Sequence, residues 1–479
     1  MFGVFSRPIW YDEAFSLMLA QRGFAAFMAA TLAPAASGLS DVHPPGYYFI
    51  LIQWTKLFGA SVVAGRLFSI MFGLLIVWLG YLVARKLFSD EIAKSAASLL
   101  ALSPFLVHYA QEIRMYSLMT FGIVLCAFAY ICKQEGDDRG RWLLAFAGGA
   151  ALAQYTQALA AFYLVALALW PLFRQNWRML RFVTSGGLLA IVLYSPWLAQ
   201  LFSQVAMVER SWWVDQPGVV DLIATVLQWI TFLPLPGFWL FFAVYVYLFL
   251  IVLWFFAWRE GRLLNVEASA QWLVWMAFVP LILNFLISQW RSVFIFRAFL
   301  PSGVFFLLLV AWFIHRLIEK RYFKGLLAAF LGISMIAGLA GFYTYAGFPY
   351  APFEEMINSI ENQRQPDEII VHANKLTILP ALYFAPDVGQ TYIRDKPGSP
   401  QDILTPSFKE ALGLDERSDI SDAVRNAQGV WFTIFERHIE EYRDQGFEHP
   451  PELDWLNRHY ELIEATEWAD MLVYHYYKP

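Results

Sequence analysis

Arg7-Pro8-Ile9-Trp10-Tyr11-Asp12-Glu13-Ala14-Phe15-Ser16 sets two adjacent carboxylates among aromatic residues, at the head of a chain otherwise dominated by apolar runs. Carboxylates are costly at membrane depth, so the reading turns on which membrane face this pair meets and what joins it there. Of 479 residues, 59% are hydrophobic and 15% charged. Apolar runs of about 20 residues, the length that spans a bilayer, recur along the chain. Composition therefore predicts a mainly α fold, a polytopic transmembrane helical bundle. It excludes a soluble globular enzyme as the whole chain.

The runs fall near residues 64–84, 91–108, 113–132, 142–155, 157–173, 181–200, 237–257, 270–288, 294–314 and 325–345. That predicts about ten spans by length. Basic clusters occupy every second connection: Arg85/Lys86, Lys133/Arg139/Arg141, Arg174/Arg178/Arg181, Arg259/Arg262 and Arg316/Lys320/Arg321/Lys324. Positively charged connections stay in the cytoplasm. The outside then receives residues 1–63, the Ser103 to Arg114 turn, Gln154 to Gln157, the 201–236 loop, Gln289 to Ser292 and everything after about residue 346.

The net charge of −5 hides an asymmetry: residues 346–479 hold 24 Asp/Glu against 11 Lys/Arg, whereas the first 345 residues hold 15 against 23. Three regions follow. Residues 1–63 form an outer-face loop, with interfacial helices expected over 12–32 and 46–58; residues 64–345 form the transmembrane domain; residues 346–479 form a small soluble α/β domain. In that tail, alternation marks strands at 368–373, 429–435, 460–465 and 471–477, with helices at 352–364, 419–427 and 437–445. Cys126 and Cys132 both lie in or beside one apolar run and indicate no disulfide framework. No basic tract suggests a nucleic-acid partner.

On this topology the polar residues Asp12, Glu13, Asp41, His43, Gln111, Glu112, Arg114, Gln154, Gln157, Arg291 and Arg297 collect at one membrane face. Each has an ordinary role to weigh. An acidic residue in an outside loop is commonly solvated or caps a helix, and Glu13 suits the first turn of a helix dipole. Arg114 can pair internally with Glu112 or Asp41, or hold a phosphate through a bidentate contact. Arg297 can snorkel to headgroups. Trp212-Trp213 can stack on a sugar ring or anchor at the interface. Asp41, His43, His108 and Glu112 are possible ligands for a divalent metal ion, but none are spaced as a compact ligand motif, so metal dependence stays open.

Trp10-Tyr11-Asp12-Glu13-Ala14-Phe15-Ser16, His43-Pro44-Pro45-Gly46-Tyr47-Tyr48, Gln111-Glu112-Ile113-Arg114-Met115-Tyr116 and Arg297-Ala298-Phe299-Leu300-Pro301 stand in that order. Together they resemble the polytopic GT-C glycosyltransferases related to protein O-mannosyltransferases and to the bacterial aminoarabinose transferase of lipid A. The resemblance covers roughly residues 8–345 and implies a polyprenyl-phosphate-linked sugar as donor, with a hexose or pentose moved to an acceptor hydroxyl on a lipid, glycan or protein. Carried onto these motifs, it implies Asp12 as the base, Glu13 or Asp41 holding acceptor or metal, and Arg114 binding the donor phosphate, with Arg297 and His43 as helpers and Glu112 and Gln111 as further acceptor or metal candidates. The resembling enzymes carry a transmembrane helix just ahead of the acidic motif, so an apolar segment of about 20 residues is expected before Arg7. A transporter or flippase of a lipid-linked sugar is the competing class; it would place its charges near the midplane at broken, repeated helices, and the chain shows no repeat. The chain has no Asn-x-Ser/Thr sequon, which favours a bacterial inner membrane, with site and tail facing the periplasm.

Overall fold

The computed structural model describes residues 3–32, 43–208, 214–395, 404–425 and 427–479; Asp41, Trp212 and Trp213 lie outside them. The acidic motif opens α1 (Tyr11–Arg22), which meets α2 (Phe24–Leu32) at 113°. Gly23, at φ +84, makes this corner, a backbone conformation that side chains other than glycine rarely adopt. The single interfacial helix expected over 12–32 is thus two helices, and Tyr11 to Ala20 are buried on every side rather than lying along the lipid with one apolar face. A short α3 (Gly46–Phe58) follows Pro45.

The membrane bundle then runs through α4 (Val62–Leu87), α5 (Asp90–Leu102), α6 (Pro104–Ala110), α7 (Tyr116–Gln134), α8 (Arg141–Thr156), α9 (Ala161–Phe173), α10 (Trp177–Val208), α11 (Val219–Gln228), α12 (Gly237–Arg259), α13 (Ala268–Ser288), α14 (Leu300–Arg316) and α15 (Arg321–Thr344). Every predicted apolar run contains a helix. Among the described residues, however, seven helices have the length and apolarity to cross a membrane, or eight if the bent α1–α2 pair is one span. The run at 91–108 breaks because Ser103 caps α6, accepting a hydrogen bond from the Leu106 amide at 3.4 Å, with Pro104 at the first helical position. The α5, α8 and α9 helices have 13, 16 and 13 residues, shorter than a single straight span, and α5 with α6 returns the chain from Leu87 to the Glu112–Arg114 turn beside Ser69.

The chain continues into α16 (Phe353–Gln363), α17 (Lys375–Phe384), α18 (Pro406–Leu412), α19 (Ile420–Val424), α20 (Glu436–Asp444) and α21 (Pro451–His459). These surround one six-stranded sheet, built from β1 (Glu368–His372), β2 (Gln390–Ile393), β3 (Glu416–Arg417), β4 (Gly429–Phe435), β5 (Glu461–Trp468) and β6 (Met471–Tyr477) in the order β3-β2-β1-β4-β6-β5. The first three strands and β4 are parallel, whereas β6 and β5 add antiparallel. Central β4, Gly-Val-Trp-Phe-Thr-Ile-Phe, is buried along its length, as a strand covered on both faces must be. The α17–α18 side of this region shares a core with the bundle: the Phe408 ring lies 5.9 Å from Phe15 and 6.5 Å from Phe27.

Small residues let α7 and α8 approach closely. A methyl group on Gly122 of α7 would sit 2.8 Å from the Gly149 carbonyl oxygen of α8, and one on Gly149 would sit 2.8 Å from that of Gly122. Close backbone contact of this kind is how transmembrane helices associate when apolar burial gives no advantage over lipid. Gly149→Ala is expected to cost about 1–3 kcal/mol through overpacking; a thermal midpoint in detergent equal to that of the parent would refute the contact.

Candidate active site

Asp12 and Glu13 lie in the first turn of α1, Arg114 just ahead of α7, and Arg297 in the 3-10 turn Phe296–Phe299 ahead of α14. Three helix N-termini, each with positive dipole character, thereby converge on one spot, which suits an anionic ligand. Arg297 Nη1 donates to Asp12 Oδ2 at 3.1 Å, and Arg114 Nε lies 3.5 Å from the same oxygen. The two motifs farthest apart in sequence, at residues 12 and 297, therefore meet directly. The Arg297 guanidinium also lies 5.3 Å from the Tyr116 ring centroid and 5.8 Å from that of Trp10, so one aromatic residue of the acidic motif and one of the Gln111–Tyr116 motif wall the ion pair.

Glu13 points elsewhere. Its Oε1 and Oε2 accept from Arg66 Nε and Nη2 at 3.0 and 2.9 Å, with both side chains only 2% exposed. Arg66 also donates to the backbone carbonyls of Val4, Arg7 and Pro8 at 3.2, 2.8 and 3.1 Å. All five guanidinium N–H groups have acceptors, which is what a buried arginine needs. The Ile113 amide donates to Glu13 Oε1 at 3.2 Å, fastening the loop that bears Arg114. Arg66 was not among the residues singled out from the sequence, although a lone arginine inside an apolar run is itself a signal of function or pairing.

Glu112 is 4% exposed, and its Oε2 has no hydrogen-bond partner among the described residues. Ser69 holds its backbone carbonyl at 2.6 Å. Burial pushes the Glu112 carboxyl up to about 7, assisted by the charges of Asp12 and Glu13 and opposed by Arg297 and Arg114. Tyr116 Oη and Trp10 Nε1 are likewise buried without a partner among the described residues, so polar groups around the Asp12 cluster remain open to a ligand. Arg7 adds a further cation: its guanidinium carbon is 3.9 Å from the Phe342 ring centroid and 4.1 Å from that of Tyr350. Gln111 donates to Tyr343 Oη at 2.7 Å, and Gln154 and Gln157 bond within the α8–α9 corner. His43 is half-buried just ahead of α3, while Arg291 is exposed. Among the described residues, no three of His, Cys, Asp and Glu gather as a metal cage.

A family model described as dolichyl-phosphate-mannose-protein mannosyltransferase matches residues 42–200. That stretch includes Arg66, Glu112 and Arg114. The fold is similar to that of ArnT from Cupriavidus metallidurans, in a crystal structure bound to undecaprenyl phosphate, with TM-score 0.61 and 12% identity over 98% of this chain and 94% of that one. It is also similar to the archaeal oligosaccharyltransferase AglB from Archaeoglobus fulgidus in complex with an inhibitory peptide and a dolichol-phosphate, with TM-score 0.50 and 13% identity over 98% of this chain and 71% of that one. No curated protein sequence matches the chain. The chain has the GT-C fold, and the sequence resemblance to GT-C glycosyltransferases is borne out. It is a multi-pass membrane protein with that fold.

Two stability predictions follow from this geometry. Arg66→Met leaves Glu13 buried without its counter-charge and is expected to cost about 3–5 kcal/mol, read as a lowered unfolding midpoint; a midpoint within error of the parent would refute the clamp. Glu112, with its carboxyl raised above the ordinary 4.5 of the unfolded chain to about 7, adds stability that is full below pH 4.5 and is lost as pH rises through 7. Glu112→Gln should flatten the pH dependence of the midpoint across that window, and an unchanged pH profile would contradict it.

Proposed function

We propose that the chain transfers a sugar from a polyprenyl-phosphate donor to an acceptor hydroxyl, in one displacement that inverts the anomeric centre. The observation that carries this reading is the buried Asp12 carboxylate, met by Arg297 at 3.1 Å and Arg114 at 3.5 Å, beside helix N-termini. In the reaction the acceptor oxygen bonds to the anomeric carbon, the bond from that carbon to the phosphate oxygen breaks, and the hydroxyl proton passes to Asp12. The departing polyprenyl phosphate carries the negative charge, which Arg114 and Arg297 stabilise. Glu13 acts by position: clamped by Arg66, it holds α1 and the Arg114 loop in register. Glu112, with an open oxygen, is suited to an acceptor or sugar hydroxyl. The bound lipids of the two structural neighbours, undecaprenyl phosphate and dolichol-phosphate, support the donor class.

The basic connections give the orientation: they face the cytoplasm, and the Asp12 cluster and the C-terminal region face outward, toward the periplasm in a bacterial inner membrane. In intact cells an impermeant thiol reagent should label Gln445→Cys and leave Glu260→Cys unlabelled; the opposite pattern would reverse the topology.

Assayed with a polyprenyl-phosphate sugar in nanodiscs, Asp12→Asn is expected to lower turnover roughly 10²-fold to 10⁴-fold. Donor affinity should hold, because both arginines are then left to the phosphate. Arg114→Ala should weaken donor binding first. Near-parental turnover in Asp12→Asn would overturn the assignment of the base.

A further inference from the structure

At the other end of α4 from the Asp12 cluster, a cavity of about 230 Å³ opens between α4, α7, α9, the turn that follows α9, and α13. From Arg66 to Leu87, which lines it, α4 rises roughly 30 Å. The cavity therefore lies across the membrane from the Asp12 cluster and outside the catalytic reading. Its lining is unusual for a gap between membrane helices: Gln134, Trp170, Arg174, Asn176, Ser269 and Trp272 all contribute.

Three observations mark it as a site for an anion. Trp272, which lines the cavity, is 3% exposed, and its buried Nε1 has no hydrogen-bond partner among the described residues. Ser269 lies in the first turn of α13, a 21-residue helix whose N-cap Glu267 makes no side-chain cap, so the positive end of its dipole faces the same region. The exposed Arg174 guanidinium stands 5.6 Å from the Trp170 ring centroid, and its Nη1 donates only a 3.4 Å bond to Gln271. Glu267, the N-cap of α13, lies 3.5 Å from Arg316. The surrounding connections carry Arg85, Lys86, Lys133, Arg178 and Arg181, of which Arg85 pairs with Asp90, Lys86 with Glu135, and Lys133 and Arg178 with Asp138.

We propose that this cavity is a binding site for the phosphate headgroup of an anionic membrane lipid, with Arg174 and the Trp272 indole N–H as its contacts. Basic pockets between transmembrane helices on the cytoplasmic side take such headgroups, and the two tryptophans suit the depth where headgroup meets acyl chain. A lipid is favoured over a soluble anion because the lining helices are membrane helices, so acyl chains can continue along their lipid-facing surfaces from a headgroup held at the mouth.

The test uses the full chain in non-ionic detergent, titrated with fluorescent phosphatidylglycerol, with phosphatidylcholine of the same acyl chains, and with inorganic phosphate as competitor. Phosphatidylglycerol should bind more tightly than phosphatidylcholine. Arg174→Gln, on the surface, should weaken it about fivefold, the value of one basic residue near an anionic headgroup. Trp272→Phe, which keeps the ring and removes the donor, should weaken it as well. Equal binding of the two lipids, or parental affinity in Arg174→Gln, would overturn the proposal. Displacement of the lipid by inorganic phosphate at comparable concentration would show a site for a free anion and overturn the lipid assignment.

Discussion

The buried Glu13–Arg66 pair is the constraint on which the rest of the outer end depends. Removing two charges from water costs several kcal/mol per ion, and attraction within the pair repays this only when every remaining hydrogen-bonding group is satisfied. Here the requirement is met by bringing other parts of the chain to the arginine: the carbonyls of Val4, Arg7 and Pro8 on one side and, through Glu13, the amide of Ile113 on the other. The pair therefore draws together the N-terminal loop, α1, α4 and the turn between α6 and α7. Asp12, one residue before Glu13, is then directed toward Arg114 and Arg297, and the neighbouring carboxylates acquire different surroundings from adjacent positions in the sequence.

That arrangement joins the membrane bundle to the C-terminal sheet region. The α1 helix is buried over the length that bears the carboxylates, and Phe408 of α18 closes on Phe15 and Phe27 from above. Tyr383 of α17 adds a hydrogen bond to the Ala60 carbonyl at 2.9 Å. A helix that would otherwise lie at the lipid interface is converted into part of a packed core, which is the physical basis for holding a charged cluster at fixed geometry.

Much of this architecture was legible in the chain. The apolar runs coincide with helices because membrane burial demands continuous backbone hydrogen bonding and long apolar stretches. The strands β1, β4, β5 and β6 were readable from their patterning. The missed elements of the C-terminal region include β2 and β3, with four and two residues, too few to show a period, the short α18 and α21, each opening on a proline, and α17, which contains Pro380. The bend at Gly23 escaped because residues on both sides of it are equally apolar, and hydropathy does not report backbone direction.

The order of the motifs and the one-sided distribution of charge, both properties of the linear chain, determined the class of protein and gathered Asp12, Glu112, Arg114 and Arg297 at one end. Tertiary structure alone decided how they pair. Ion pairing depends on contacts between residues 53 and 285 positions apart, Arg66 with Glu13 and Arg297 with Asp12, and no local period encodes such distances. From the sequence, Asp12 was expected as the base and Glu13 as a holder of acceptor or metal, with no local feature to show which cation each would meet. Burial and the supply of donors separated them, with Glu13 committed to Arg66 and Asp12 turned toward the other two arginines, because a buried carboxylate takes its role from the cations that reach it.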